Sequence, residues 1–144
     1  MTNSNPAAHE RTIVVGIGAS AGGVQALGAL LSALPSEPGA AFVVVMHLSP
    51  ETRSELPRIL STHSRMPVNQ VTNTVQLKPD CVYVIPPDRQ LQITDNEISA
   101  VPFAERRGQR APIDTFFRSL AQQHGDGFAV ILTGGGSDGA IGVK

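Results

Sequence analysis

The alternation of short apolar runs with helical segments is the feature that most constrains the fold of this chain. "TIVVGIG" is a β-branched apolar run that ends in glycine, "GVQALGALLSAL" repeats leucine at helical spacing, and "AAFVVVMH" is a second apolar run. Runs that are this short and continuously apolar predict strands buried on both faces. A strand, a helix and a strand within about thirty residues form a βαβ unit, which implies parallel pairing and a right-handed crossover.

The following segment predicts a further helix and two strands, and then a β-hairpin. "PETRSELPRILS" predicts a helix that begins at Pro50 and is kinked or split at Pro57, "PVNQV" a short strand, and "CVYVIPP" a strand ended by prolines. "RQLQITDNEISAVPF" alternates on both sides of Asp95 and Asn96, which predicts a β-hairpin.

The last third of the chain returns to the helix–strand alternation. "APIDTFFRSLAQQHG" is amphipathic, with Ile113, Phe116, Phe117 and Leu120 on one face, and "GFAVILTG" predicts a third buried strand. The sequence therefore predicts an α/β fold with a doubly wound, mostly parallel sheet, a βαβ start and one β-hairpin. We expect a flexible tail over residues 1–11 and one domain over residues 12–144, incomplete at its C-terminus because the last glycine turn opens into a helical segment.

Composition narrows the class of protein. Apolar residues make up 41% of the 144 residues, enough for a core, and the net charge of -1 gives no electrostatic reason for binding nucleic acid. The single cysteine, Cys81, excludes an internal disulfide, fits a reducing compartment and is expected in the core. No apolar run has the length of a membrane span. We therefore expect a cytoplasmic protein with no direct membrane insertion.

The first glycine-rich turn supports two interpretations. Gly16 to Ala21 match the dinucleotide pattern G-x-G-x-x-[GA] between a strand and a helix, but the second strand ends without the acidic residue that holds a ribose. Gly18 to Gly22 match G-x-S-x-G, which places Ser20 at a strand-to-helix turn as a candidate nucleophile. A serine that merely caps the next helix explains the same residues equally well.

Two further side chains favour the nucleophile. His47 ends the second strand and Asp138 lies in the glycine turn after the last strand. Sites in parallel α/β sheets form beyond the carboxyl ends of the strands, so Ser20, His47 and Asp138 are expected at one edge, as nucleophile, base and orienting acid. The four histidines have no metal-ligand spacing, and we expect neither a metal nor a cofactor.

Four segments carry a resemblance to a known family. "GIGASAGGVQAL", "VVVMHLSP", "VYVIPPDRQL" and "VILTGGGSDGAIG" occur in this order. From about Thr12 to Val143, the chain resembles the catalytic domain of the CheB-type protein-glutamate methylesterases. The resemblance implies a doubly wound α/β fold and hydrolysis of glutamate methyl esters on bacterial chemoreceptor helices, with deamidation of certain glutamines. It also matches the family's catalytic serine, histidine and aspartate to Ser20, His47 and Asp138.

Two positions depart from the chemotaxis members of this family. Those members usually have threonine where this chain has Ala21 and methionine where it has Gly135. We expect backbone N–H groups around Ala21, Gly22, Gly135 and Gly136 to contact the oxyanion or the substrate. The "ASAGG" form resembles methylesterase domains that are fused to a CheR-type methyltransferase, so the partners expected are a methylated protein and such a methyltransferase domain. A nucleotide-binding module and a non-catalytic signalling domain remain the alternatives.

Overall fold

The computed structural model describes residues 12–46, 50–103, 111–123 and 127–132. Within these ranges the strands are β1 (Val14–Ala19), β2 (Ala41–Met46), β3 (Val68–Gln70), β4 (Thr74–Gln76), β5 (Cys81–Val84), β6 (Gln90–Thr94), β7 (Glu97–Val101) and β8 (Phe128–Leu132). The α-helices are α1 (Val24–Ala33), α2 (Pro50–Ser61) and α3 (Pro112–Gln123), and a short 3₁₀ turn, Ala21–Gly23, precedes α1.

Five strands form a parallel sheet in the order β3-β5-β2-β1-β8. β1 and β2 are central among the described strands, and all six residues of β2 are buried. Continuous apolar runs suit such positions because both faces of the strand are covered. The predicted α/β fold with a mostly parallel sheet is confirmed.

The two faces of this sheet are covered by different layers. α1 and α2 supply Leu27, Leu31, Leu56 and Leu60 to one apolar cluster, which also contains Ile17 of β1. α3 supplies Phe116 and Leu120 to a second cluster, which also contains side chains of β6 and β7. Helices therefore lie on both faces, as the doubly wound prediction requires.

A second, antiparallel sheet of three strands has the order β4-β7-β6. β6 and β7 form the predicted hairpin, with Thr94 opposite Glu97 and Asp95 at a left-handed φ of 54° in the turn. β4 was not predicted, because all three of its side chains are exposed and it therefore leaves no apolar pattern in the sequence.

Side chains of α3 bind the outer edge of β6. The Ser119 hydroxyl accepts a hydrogen bond from the N–H of Ile93 at 3.2 Å, and Gln123 Oε1 accepts one from the N–H of Asp95 at 2.9 Å. The Ile93 N–H lies on the edge of β6 opposite to β7, and a further strand would otherwise pair at that edge. The helix thus satisfies main-chain groups of the hairpin.

Three local predictions need correction. The split of α2 at Pro57 is wrong: the helix is uninterrupted from Pro50 to Ser61, and Leu56 and Leu60 on both sides of the proline are fully buried. Cys81 is partly exposed because it begins β5 at the border of an open cavity. β8 forms as predicted but is not buried: Phe128 is 59% exposed and Ile131 48%, because β8 is the edge strand of the described sheet.

The C-terminal end of α1 is held by an arginine from beyond α2. Arg65 Nη1 donates hydrogen bonds to the carbonyl oxygens of Ser32 and Leu34, both at 3.1 Å. The last carbonyls of a helix lack intrahelical partners, and a cation at this end also interacts favourably with the helix dipole.

Arg65→Ala is expected to lower the free energy of unfolding by about 1 kcal/mol, since these two carbonyls lose their donor. Urea denaturation followed by circular dichroism measures the change. Arg65→Lys, which keeps a positively charged donor at this end of the helix, is the matched control and should lose less. Equal unfolding midpoints for Arg65→Ala and the parent protein would contradict a capping role.

Candidate functional site at the end of the central strand

Ser20 directly follows the last residue of β1 and begins the 3₁₀ turn. The N–H of Gly23 donates a 2.8 Å hydrogen bond to the Ser20 carbonyl oxygen, which closes the turn. The Ser20 side chain makes no capping hydrogen bond, and the residue is partly exposed. A capping serine would commit its oxygen to an N–H of the turn. The interpretation of Ser20 as a simple cap is therefore not supported.

The backbone at Ser20 is unstrained, although the sequence matches the nucleophile elbow pattern. Its φ of -80° and ψ of 173° lie in the ordinary extended region. A nucleophile elbow holds its serine on a sharp, strained turn. Here the serine instead leaves the strand in an extended conformation, and the change of direction is made by the 3₁₀ turn that follows.

The ends of two neighbouring strands flank Ser20. Ala19, the residue before it, is opposite Met46 of β2 on one side and opposite Leu132 of β8 on the other. Both neighbours are parallel to β1, so all three strands end at the same edge of the sheet. His47 directly follows Met46, and the glycine turn with Asp138 follows Leu132. His47, Asp138, Gly135 and Gly136 lie outside the described residues, and their roles stay predictions.

Main-chain amides begin the turn after Ser20. Ala21 and Gly22 are the first two residues of the 3₁₀ turn, and Gly22 is exposed. The first N–H groups of a helical turn have no preceding carbonyl to bind. Amides in this position can stabilise negative charge that develops on an oxygen near Ser20.

The structure gives Gly16 and Gly18 a packing role that the dinucleotide interpretation does not foresee. Both lie within β1 and face α3. A Cβ at Gly16 would be 2.8 Å from Phe116 Cε2, and one at Gly18 would be 2.8 Å from Ile113 Cγ2. The two glycines thus allow α3 to pack closely on the strand, which explains them without a bound pyrophosphate.

Gly23 is a residue of this site that sequence reasoning missed. A Cβ built on it would lie 3.1 Å from the Cβ of Ala19 and 3.2 Å from the carbonyl oxygen of Leu132. The G-x-S-x-G pattern draws attention to Gly22, which is exposed, whereas Gly23 is buried against the end of β8. The doubled glycine in "SAGGV" was the only available signal.

Cys81 and Tyr83 border a cavity that is separate from Ser20. An open cavity of about 590 Å³ borders β3, β4 and the start of β5, and its lining includes Cys81 and Tyr83 but not Ser20. The Tyr83 hydroxyl accepts a hydrogen bond from the Lys78 N–H and donates one to the Gln76 carbonyl. Burial raises the pKa of Tyr83.

The described residues contain neither a cluster of metal ligands nor a membrane-spanning helix. No group of three His, Cys, Asp or Glu side chains in those ranges could hold a metal ion. None of the helices described there is long and apolar enough to cross a membrane.

Comparison with known proteins assigns the class. The family model described as CheB methylesterase matches residues 15–144. The fold also matches the crystal structure of the Thermotoga maritima CheB methylesterase catalytic domain, with a TM-score of 0.74 and 28% sequence identity over 92% of this chain and 74% of that one. This parallel α/β chain, with a serine at the end of its central strand, therefore belongs to the CheB methylesterase family.

Curated relatives agree with this assignment. A Pseudomonas aeruginosa protein named protein-glutamate methylesterase/protein-glutamine glutaminase 3 is 36% identical over 93% of this chain and 41% of its own length. A Leptospira interrogans relative named for the same two activities is 34% identical over 89% of this chain and 67% of its own length. This chain thus spans two thirds of the Leptospira protein and about two fifths of the Pseudomonas one.

Proposed function

We propose that this chain is a serine hydrolase that removes methyl esters from glutamate side chains of a chemoreceptor-like signalling protein. The observation that carries the proposal is the position of Ser20. The Ser20 hydroxyl makes no capping hydrogen bond. The residue follows the last residue of β1 and lies between the ends of β2 and β8, which lead to His47 and to the Asp138 turn. Membership in the CheB methylesterase family supports the same chemistry.

In the proposed mechanism, His47 takes the proton from the Ser20 hydroxyl as its oxygen attacks the ester carbonyl carbon. Asp138 holds the imidazole in the tautomer that can accept this proton. The tetrahedral intermediate collapses, His47 returns the proton to the leaving methoxide, and methanol departs. A water molecule then attacks the acyl-enzyme with His47 as base, releasing the glutamate carboxylate and restoring Ser20.

The same steps accommodate a glutamine substrate. Attack on the side-chain amide gives the same acyl-enzyme, with ammonia as the leaving group instead of methanol. The relatives carry both activities in their names, and a deamidase activity of this chain is part of the proposal. The amides of Ala21 and Gly22, together with those around Gly135 and Gly136, would stabilise the oxyanion in both reactions.

The proposed partners follow from this chemistry. A methyl ester on a glutamate must be formed by a methyl-transferring enzyme, so a CheR-type methyltransferase domain is the proposed source of the substrate. Ala21 and Gly135 are smaller than the residues that chemotaxis members usually have at these positions, so the contacts to the oxyanion and the substrate are proposed to differ. The single cysteine fits a reaction in the cytoplasm.

A fluorophosphonate probe tests the proposal directly, because it reacts only with a serine whose hydroxyl is activated. We expect covalent labelling of the folded protein on Ser20, identified by mass spectrometry of the peptides. Heat-unfolded protein is the control and should not be labelled. NAD⁺ added in excess should leave the labelling rate unchanged, whereas protection by NAD⁺ would favour the dinucleotide module. Absence of labelling would contradict the hydrolase proposal.

A further inference from the structure

Gly23 lies where the turn after Ser20 meets the end of β8. The residue is buried, and its N–H is bonded to the Ser20 carbonyl at 2.8 Å. A Cβ at this position would be 3.1 Å from the Cβ of Ala19 and 3.2 Å from the carbonyl oxygen of Leu132. Non-bonded carbon contacts are most favourable at about 3.5–4.0 Å, so a methyl group here forces its neighbours to move by tenths of an ångström.

Backbone conformation does not explain the glycine. Gly23 has a φ of -88° and a ψ of 2°, and the negative φ is open to residues with side chains. The missing side chain is therefore required by spacing alone. One of the two contacted atoms, the Leu132 oxygen, belongs to the main chain of a paired strand and cannot rotate away as a side chain would.

We propose that Gly23 is a positioning residue, which sets the distance between the Ser20 turn and the end of β8. The glycine turn with Asp138 follows Leu132 in the sequence, and the proposed effect of this spacing is to keep the Ser20 turn at a constant distance from the strand end that leads to the acid. This inference rests on the proposed function, since it takes Ser20 as the nucleophile and Asp138 as the acid. Attack and proton transfer depend on near-contact distances, so displacements too small to unfold the domain lower the rate.

Gly23→Ala in the intact protein tests the role. We expect kcat for p-nitrophenyl acetate to fall on the order of ten-fold while KM changes by less than about two-fold. The rate of fluorophosphonate labelling at Ser20 should fall in parallel. The final labelled fraction, which counts the folded molecules, should stay at the parent value. A purely structural role would lower this fraction and leave kcat per labelled molecule unchanged.

Gly28→Ala is the matched control. Gly28 is also buried, and its Cβ would be equally close to a neighbour, 3.1 Å from the His63 ring. That neighbour is an exposed side chain rather than the main chain of a strand, and it can shift without moving β8. Parent values of kcat and labelling rate are expected.

A double variant separates the two contacts of Gly23. Ala19→Gly combined with Gly23→Ala removes the Ala19 methyl group and leaves the Leu132 oxygen, so the loss of kcat relative to Ala19→Gly alone should persist. If kcat of the double variant equals that of Ala19→Gly alone, the Leu132 contact does not matter and the proposed spacing role is overturned. Parent-like kcat in Gly23→Ala, or failure of that variant to fold, would also overturn the positioning role. If the parent protein is not labelled at Ser20, it is the proposed function that fails.

Discussion

Ser20→Ala is expected to reduce ester hydrolysis by several orders of magnitude and to leave the free energy of unfolding within about 0.5 kcal/mol of the parent value. The oxygen of the proposed nucleophile is lost, while no capping hydrogen bond is lost with it. p-Nitrophenyl acetate hydrolysis and urea denaturation, measured on the same preparation, give the two numbers.

The partner residues should behave as one unit with Ser20. His47→Ala is expected to cost nearly as much activity as Ser20→Ala, and Asp138→Asn somewhat less, because the members of a triad act together rather than additively. Ser36→Ala is the matched control, an exposed serine away from the strand ends, and should retain full activity. Substantial turnover in Ser20→Ala would show that another group is the nucleophile.

Phe116→Ala is expected to be the most destabilising of the substitutions considered, at about 3–5 kcal/mol. The Phe116 side chain is fully buried, and its ring lies against the strand at Gly16, where no Cβ intervenes. Removing it opens a cavity between α3 and β1 that the rigid strand cannot close. Because the free energy of unfolding of a domain is only about 5–15 kcal/mol, this loss is a large part of it.

Urea denaturation gives this loss as a lowered midpoint at an unchanged slope. Phe117→Ala is the matched control, since the adjacent ring is only partly buried and should cost less. Gly16→Ala should destabilise the parent protein but cost less in the Phe116→Ala background, where the nearest of the three side chains that the new methyl group would meet is gone. A loss below about 1 kcal/mol for Phe116→Ala would contradict the packing of α3 on β1.

Local patterns predicted the elements whose apolar residues all face a core. The continuous apolar run of β2, the leucine spacing of α1 and the alternation of the hairpin each have one structural explanation, and each formed as expected. β4 gave no such signal because its residues face solvent. The exposure of β8 was missed for the opposite reason: an apolar run indicates a strand, but not whether that strand is central or at an edge.

The candidate site also has one part that local sequence patterns predict and another that they do not. Ser20 could be selected from the sequence because a small turn between a strand and a helix brings a hydroxyl to a sheet edge. The packing of Gly16 and Gly18 against α3 could not be foreseen, since it depends on a helix about a hundred residues later in the chain. The contact of Gly23 with β8 is equally non-local. A glycine indicates that another group packs closely on the backbone, but the sequence does not identify that group.

The bonds from α3 to the hairpin also determine how this molecule meets other molecules. An open strand edge is a template on which a strand of another chain can pair, and such pairing leads to aggregation. At the end of β6 and in the turn after it, the hydroxyl of Ser119 and the side-chain oxygen of Gln123 accept hydrogen bonds from the N–H groups of Ile93 and Asp95. The helix thus engages main-chain groups that would otherwise be open to pairing, which disfavours self-association through this side of the hairpin.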